Sequence, residues 1–197
     1  MKKVTLFLIP LVLFAGLVVF LFQGLFSDPR ERGSMVVDKP IPAFSLPDLM
    51  HPDLHYTPAV FEGQITLLNV WGVWCVTCAV ELPYLTQLVE QENLRIVGLY
   101  YDQDLDPDFG TKTVTGVQQE VKNMLNRFGN PYSFNIFDVY RDLSLDLGVT
   151  GAPEHFLIDQ HGVIRLHHVG DINERVWKNK IAPVVAQLKR EMGSSDS

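Results

Sequence analysis

The sequence predicts an α/β domain built around a mixed sheet. Apolar strand-like and helix-like runs alternate along the chain, and the last strands close as a hairpin. Both cysteines of the 197-residue chain sit two residues apart, where a buried strand hands over to a helix. With 47% apolar residues the chain can bury one sizeable core. A net charge of −7 without any clustered Lys and Arg excludes nucleic acid as a partner. No internal repeat or low-complexity tract is visible.

The chain opens with Lys2 and Lys3, followed by residues 4–22 without a charge. A cleavable signal has an apolar core of about 7–15 residues and a small-residue exit, whereas a spanning helix needs roughly 20. Gln23-Gly24-Leu25-Phe26-Ser27 offers no good cleavage site. The reading is therefore an uncleaved signal-anchor over 1–26, with a cleaved signal as the alternative. The two lysines hold the N-terminus in the cytoplasm, against the opposing pull of Arg30 and Arg32. The polar stretch 27–39, with Pro29 and Gly33, reads as a tether, 40–190 as the folded domain and 191–197 as a disordered tail.

Within the domain, Pro40 and Pro42 confine residues 40–46 to a short edge strand. Residues 65–70 read as a buried central strand. A helix over 79–91 follows, with Leu82, Leu85, Leu88 and Val89 on one face and a kink at Pro83. Residues 95–101 give a second buried strand, and the acidic, turn-rich stretch 102–116 a loop. A second helix spans 118–128, with Val121, Met124, Leu125 and Phe128 inward. A short strand over 134–137 and a short helix over 143–147, stopped by Gly148, come next. Residues 155–158 and 163–169 flank the turn Asp159-Gln160-His161-Gly162 as a hairpin, and a last helix covers 173–190.

The chemistry concentrates in Trp71-Gly72-Val73-Trp74-Cys75-Val76-Thr77-Cys78. A strand feeding a helix at this point places the Cys75 sulfur at the helix N-terminus, where backbone N–H groups and the dipole favour thiolate. That moves its pKa from about 8.5 toward roughly 3.5–7.5. Cys78, one turn in, is placed to resolve a mixed disulfide. A purely structural bridge over so small a loop would stabilise poorly. A structural zinc needs about four ligands, and only two cysteines exist without a histidine at close spacing. Two soft thiolates can also hold Cu(I). His155 is the histidine nearest the sulfurs in sequence logic, and it reads first as an ordinary strand residue. His167 and His168 alternate across a strand and cannot share one metal. Pro153, in Gly151-Ala152-Pro153-Glu154 just before the hairpin, reads either as loop punctuation or, facing the cysteines, as a cis-proline that leaves backbone groups free for an extended peptide.

Several further blocks recur in order: Leu67-Leu68-Asn69-Val70-Trp71, Gly129-Asn130-Pro131-Tyr132, Leu145-Asp146-Leu147-Gly148-Val149, Phe156-Leu157-Ile158-Asp159, and Gly170-Asp171 before Arg175-Val176-Trp177. With these, the chain resembles the CcmG/DsbE family, membrane-anchored thioredoxin-like thiol:disulfide oxidoreductases of bacterial cytochrome c maturation. The resemblance runs from the anchor to about Leu188. It implies a thioredoxin fold, Cys75 as nucleophile, Cys78 as resolving thiol and Pro153 as the cis-proline. It also implies that Glu81 and Glu154 are the acidic residues around the redox pair, where a carboxylate disfavours thiolate and can accept protons. The alternative is that both glutamates are solvated surface groups. Trp71 and Trp74 read as packing residues, Trp74 also shielding Cys75.

The implied function is that of a dithiol reductant in the periplasm, single-pass in the bacterial inner membrane and without a diffusible cofactor. Its substrate would be apocytochrome c at the haem-site Cys-x-x-Cys-His, or a maturation protein carrying its own thiol pair. A DsbD-type membrane reductase would supply electrons. The alternatives are a general periplasmic oxidase or isomerase, and a non-catalytic copper- or haem-handling module. The chain departs from the family pattern in having Val76, where proline is usual, and in its long 102–116 loop.

Overall fold

The computed structural model describes residues 2–25, 34–102 and 112–195. They divide into two units, residues 1–34 and 35–197.

The first unit is helix α1, Lys2–Leu25, which carries Pro10 without breaking. Its described side chains, those of residues 9–22, are all exposed. Among the described residues no helix is long and apolar enough to cross a membrane.

The second unit has a five-stranded sheet at its centre. Strand β3 (Thr66–Trp71) is buried at every position, as expected for a strand covered on both faces. It pairs in parallel with β4 (Arg95–Tyr100), and β4 in parallel with β5 (Asn135–Phe137). On its other side β3 pairs antiparallel with β6 (Glu154–Ile158), which turns back as the hairpin strand β7 (Ile164–Val169). The sheet is mixed, as the sequence predicts. In the hairpin turn, Asp159 Oδ1 accepts from the N–H groups of His161 at 2.9 Å and Val163 at 3.0 Å.

Helix α2 (Val76–Glu92) follows β3 and buries Leu82, Leu85 and Leu88, with Val89 packed beside them. It begins three residues earlier than the apolar period suggests, because Cys75 is its N-cap. Pro83 lies inside it without ending it. Helix α3 (Val114–Phe128) also starts early: Thr113 Oγ1 accepts from Gly116 N at 3.1 Å and caps it. The expected 102–116 loop therefore gives way to helix at Val114, and residues 103–111 of it lie outside the described residues. Helix α4 (Asp142–Asp146) is followed by Gly148 at φ 72°, the left-handed region that favours glycine. The last helical stretch starts at α5 (Glu174–Val176), capped by Asn173, passes a π-turn over Trp177–Ile181 and continues as α6 (Ala182–Ser195). Residues 191–195 of the expected tail are thus helical.

The expected edge strand over 40–46 does not form as such. Pro40 makes a single bridge to Val163, and the regular pairing is a two-stranded ribbon of β1 (Leu46–Pro47) and β2 (His55–Tyr56). Proline cannot donate to a ladder, so the backbone is held by isolated bonds: Asp38 N to Ile164 O at 2.7 Å and Ile41 N to Gly162 O at 2.9 Å. The last residues of the expected tether therefore belong to the folded unit, while 26–33 lie outside the described residues.

Apolar side chains fill both faces of the sheet. One face packs Leu67, Trp71 and Leu157 against α2, α3 and α6, and the other gathers Leu68, Val70 and Phe156 with Leu143 and Leu147 of the α4 region. Trp71 Nε1 donates to Asn135 Oδ1 at 2.9 Å across β4. Glycine at 98 makes this possible, since a Cβ there would run into both groups. Replacing Trp71 with Phe strands a buried carbonyl oxygen as well as changing shape. The expected loss is about 1–3 kcal/mol, read as a lower urea midpoint in equilibrium unfolding.

Candidate active site

Strand β3 ends at Trp71, and residues 72–75 lead into α2. Cys75, at φ −95° and ψ 105°, has the extended backbone of an N-cap residue. Its sulfur accepts from the N–H of Cys78 at 3.1 Å, the part that a serine or aspartate oxygen ordinarily plays. The two cysteines are disulfide-bonded, with Cα atoms 5.3 Å apart. Cys75 is 5% exposed and Cys78 fully buried, so an incoming molecule reaches Cys75 first. Trp74 is half-buried, donating through Nε1 to Tyr101 O at 3.0 Å with its ring against that of Tyr101.

The segment before β6 closes over the sulfurs. The Ala152–Pro153 bond is cis, and Ala152 O lies 3.4 Å from Cys75 Sγ. Glu154 follows and is buried, so the alternative of a solvated surface group does not hold. Its Oε1 accepts from Thr150 N and Thr150 Oγ1, each at 2.7 Å, and from Gly151 N at 3.0 Å. Its Oε2 pairs with His167 Nε2 at 2.8 Å. Burial alone pushes the Glu154 carboxyl up. The hydrogen bonds from His167 and Thr150 outweigh it and leave the group below the ordinary carboxylate value.

Glu81 is buried too, one turn beyond Cys78 on α2. Oε1 accepts from Asn69 Nδ2 at 3.1 Å, Oε2 accepts from Ile172 N at 3.0 Å, and Oε2 lies 3.4 Å from His155 Nε2. Asn69 Nδ2 also meets His155 Nε2 at 2.8 Å, and Asn69 Oδ1 accepts from Tyr132 OH at 2.6 Å. Burial, then the charge of Glu81, push the Tyr132 phenol well above its ordinary value, which keeps it a donor. Sequence reasoning gives Asn69, Tyr132 and Thr150 no part, and weighs His167 only as a metal ligand. The signal for Asn69 was a lone amide inside an otherwise apolar central strand. His155, read as an ordinary strand residue, is part of this cluster. Among the described residues no group of three or more His, Cys, Asp and Glu side chains is placed to hold a metal ion.

The comparisons with known proteins agree with this geometry. The Redoxin family profile matches residues 36–185. The chain is 42% identical over 191 residues to the thiol:disulfide interchange protein DsbE of Pseudomonas aeruginosa, covering 97% of this chain and 98% of that one. It is 40% identical over 197 residues to DsbE of Escherichia coli, covering 97% and 98%. The chain belongs to the DsbE family. As a DsbE relative with a disulfide-bonded Cys-x-x-Cys at a helix N-terminus, it is a thiol:disulfide oxidoreductase. The fold is thioredoxin-like. The thioredoxin domain of a thiol-disulfide oxidoreductase from Bacteroides vulgatus superposes with a TM-score of 0.58 at 19% identity, covering 77% of this chain and 99% of that one. A secreted Mycobacterium tuberculosis disulfide oxidoreductase gives 0.54 at 17%, covering 74% and 96%.

The depressed Glu154 carboxyl has a consequence for stability. A group with a lowered folded value contributes stability above its unfolded pKa of about 4.3 and loses it as pH falls through the lower folded value. Thermal unfolding from neutral pH down to the acid limb should show this loss. Glu154→Gln should lower the midpoint at neutral pH and flatten its decline in acid.

Proposed function

We propose that this protein is a dithiol reductant of cytochrome c maturation, held at the bacterial inner membrane by α1 with its redox domain in the periplasm. The anchor is supported by the sequence, which carries no charge from Val4 to Phe22. An uncharged run of this kind approaches the roughly 20 residues that a spanning segment needs. The substrate is apocytochrome c at its haem-site disulfide, or a maturation protein with its own thiol pair. A DsbD-type membrane reductase returns the electrons. Haem attachment needs free thiols, so a reductant has a task in an oxidising compartment.

The observation that carries this reading is the asymmetric burial of a capped sulfur pair. In the reduced protein, Cys75 thiolate accepts the Cys78 N–H and gains from the α2 dipole. It attacks one sulfur of the substrate disulfide. That bond breaks, the leaving thiolate takes a proton from solvent, and a mixed disulfide forms on Cys75. Cys78 then gives up its proton, with Glu81 one turn away as acceptor, and attacks Cys75 Sγ. The second substrate thiol leaves, and two electrons have passed to the substrate as Cys75–Cys78 oxidises. The backbone near Ala152, against Cys75, offers an extended peptide its pairing edge.

Cys78→Ala should trap a mixed disulfide with a peptide bearing an oxidised Cys-x-x-Cys-His, and Cys75→Ala should trap none. Equilibration against glutathione or dithiothreitol fixes the direction. A potential toward about −270 mV supports the reductant, and one near about −120 mV overturns it in favour of disulfide formation.

A further inference from the structure

Two neighbouring side chains at the turn between β3 and α2 leave in opposite directions. Cys75 Sγ lies against Ala152 O, in the segment before β6. Trp74 Nε1 donates to Tyr101 O, just past the end of β4, at 3.0 Å. Strands β6 and β4 pair with the two sides of β3, so the sulfur and the indole are turned to opposite flanks of one strand. Cys75 is almost closed off already. What opening it has depends on where a neighbour as large as an indole is kept.

Three residues hold that indole. Gly72 is buried, and the nearest atoms a Cβ on it would run into all belong to the Trp74 ring. Its backbone is not left-handed, so glycine stands there for room rather than for conformation. Tyr101 supplies the acceptor for Nε1 and a ring 5.1 Å from the indole, centroid to centroid. Tyr101 is itself buried and carries Arg141 on its ring, the guanidinium carbon 4.6 Å from the centroid.

Arg141 occupies its place against backbone preference. It sits at φ 62° and ψ 20°, the left-handed conformation that suits glycine or asparagine, and precedes α4 without a capping hydrogen bond from its side chain. Its Nε is buried and has no hydrogen-bond partner among the described residues. Neither the turn nor the cap calls for arginine, whereas the ring of Tyr101 does, since a planar cation gains by lying over an aromatic face. Strain of this kind persists where the surroundings over-determine it, and it clusters at functional sites.

We propose that Arg141 is a positioning residue for Cys75: through Tyr101 it keeps the Trp74 indole in the space over Gly72, and so leaves open the path by which a disulfide reaches the sulfur. This rests on the reading of Cys75 as the attacking thiolate. Arg141 touches no reacting atom. Its influence runs through contacts that follow one another without a gap, from guanidinium to phenol ring, from phenol ring to indole, and from Trp74 to the next residue, Cys75. An indole released from Tyr101 turns about its own side-chain bonds into the opening in front of the sulfur, and attack waits until it clears. Resolution by Cys78 does not use that path, because the sulfur it attacks is its neighbour within the protein.

The test is stopped-flow oxidation of the reduced full-length protein, in detergent micelles, by 5,5′-dithiobis(2-nitrobenzoic acid). One thionitrobenzoate leaves when Cys75 attacks and the second when Cys78 resolves. Arg141→Gly removes the guanidinium and relaxes the left-handed backbone together, so the fold is not penalised at that residue. It should slow the first phase by about fivefold, the scale of one cation–aromatic contact, and leave the second unchanged. Gly72→Ala, which crowds the indole out of the same space, should also slow the first phase alone. In oxidised protein labelled with 5-fluorotryptophan, both variants should move the Trp74 fluorine resonance, identified by its absence from Trp74→Ala, and leave those of Trp71 and Trp177 in place. In a Trp74→Ala background neither substitution should slow attack further. The proposal is overturned if the first phase is unchanged or faster in either variant, if both phases slow alike, if the Trp74 resonance stays where it is, or if the Arg141 loss persists without the indole. Cys75→Ala separates the two readings. A rapid phase that survives it overturns Cys75 as the nucleophile, while the fluorine spectrum of the oxidised protein decides the seat of Trp74 by itself.

Discussion

A single amide in the middle of the central strand organises the site. Asn69 is fully buried in a strand that is otherwise mostly apolar, and a buried amide without partners costs on the order of 1–3 kcal/mol. Its partners come from three other parts of the chain: Glu81 from α2, His155 from β6 and Tyr132 from the segment before β5. Satisfying Asn69 therefore fixes where α2 lies over β3, and with it the end of α2 that carries both sulfurs. The redox pair inherits its position from a hydrogen-bond requirement in the core, since the strand and the helix are joined directly through Cys75.

The two buried glutamates near the sulfurs have different work because their hydrogen bonds differ. Glu154 accepts three bonds on one oxygen from the loop it follows and pairs with His167 through the other. Its charge is consumed in holding residues 150–152 against Cys75, and its lowered pKa makes it a poor proton acceptor. Glu81 accepts one backbone and one amide bond and lies 3.4 Å from the Nε2 of His155. The resemblance to the DsbE family pointed to both residues together. Only the geometry separates a carboxylate that clamps the loop over Cys75 from one that ties α2 to the central strand and to Ile172.

Much of the fold was legible because the sequence writes it locally. The apolar run of β3, the inward leucines of α2 and the hairpin with Asp159 in its turn are signals of period and turn chemistry, and each element appears. What was not legible depends on caps and long-range partners. The first turns of α2 and α3 contain no apolar period, so only Cys75 and Thr113 acting as caps mark their starts. Residues 40–46 look like a strand by composition, but prolines at 40 and 42 leave isolated backbone bonds to the hairpin instead. The burial of Glu81 and Glu154 was invisible to charge patterning, because the groups that satisfy them include Asn69, His155, Ile172 and His167, far away in sequence.

Val76, where the family usually has proline, bears on the capping geometry in a definite way. The first helical position is one whose N–H has no intrahelical acceptor, so a proline there removes a group the helix does not use. The donor that reaches Cys75 Sγ is the N–H of Cys78, two positions further on, and it is indifferent to what stands at 76. Capping of the sulfur therefore survives the departure. Val76 changes the surface instead, because its side chain and that of Val80, one turn later, are 79% and 71% exposed beside the more accessible cysteine. A proline would present a rigid ring at the first of these positions, whereas this chain presents two branched apolar groups on one helical ridge. The consequence of the substitution falls on what an approaching polypeptide touches around Cys75, while the electrostatics that hold the thiolate stay with the backbone.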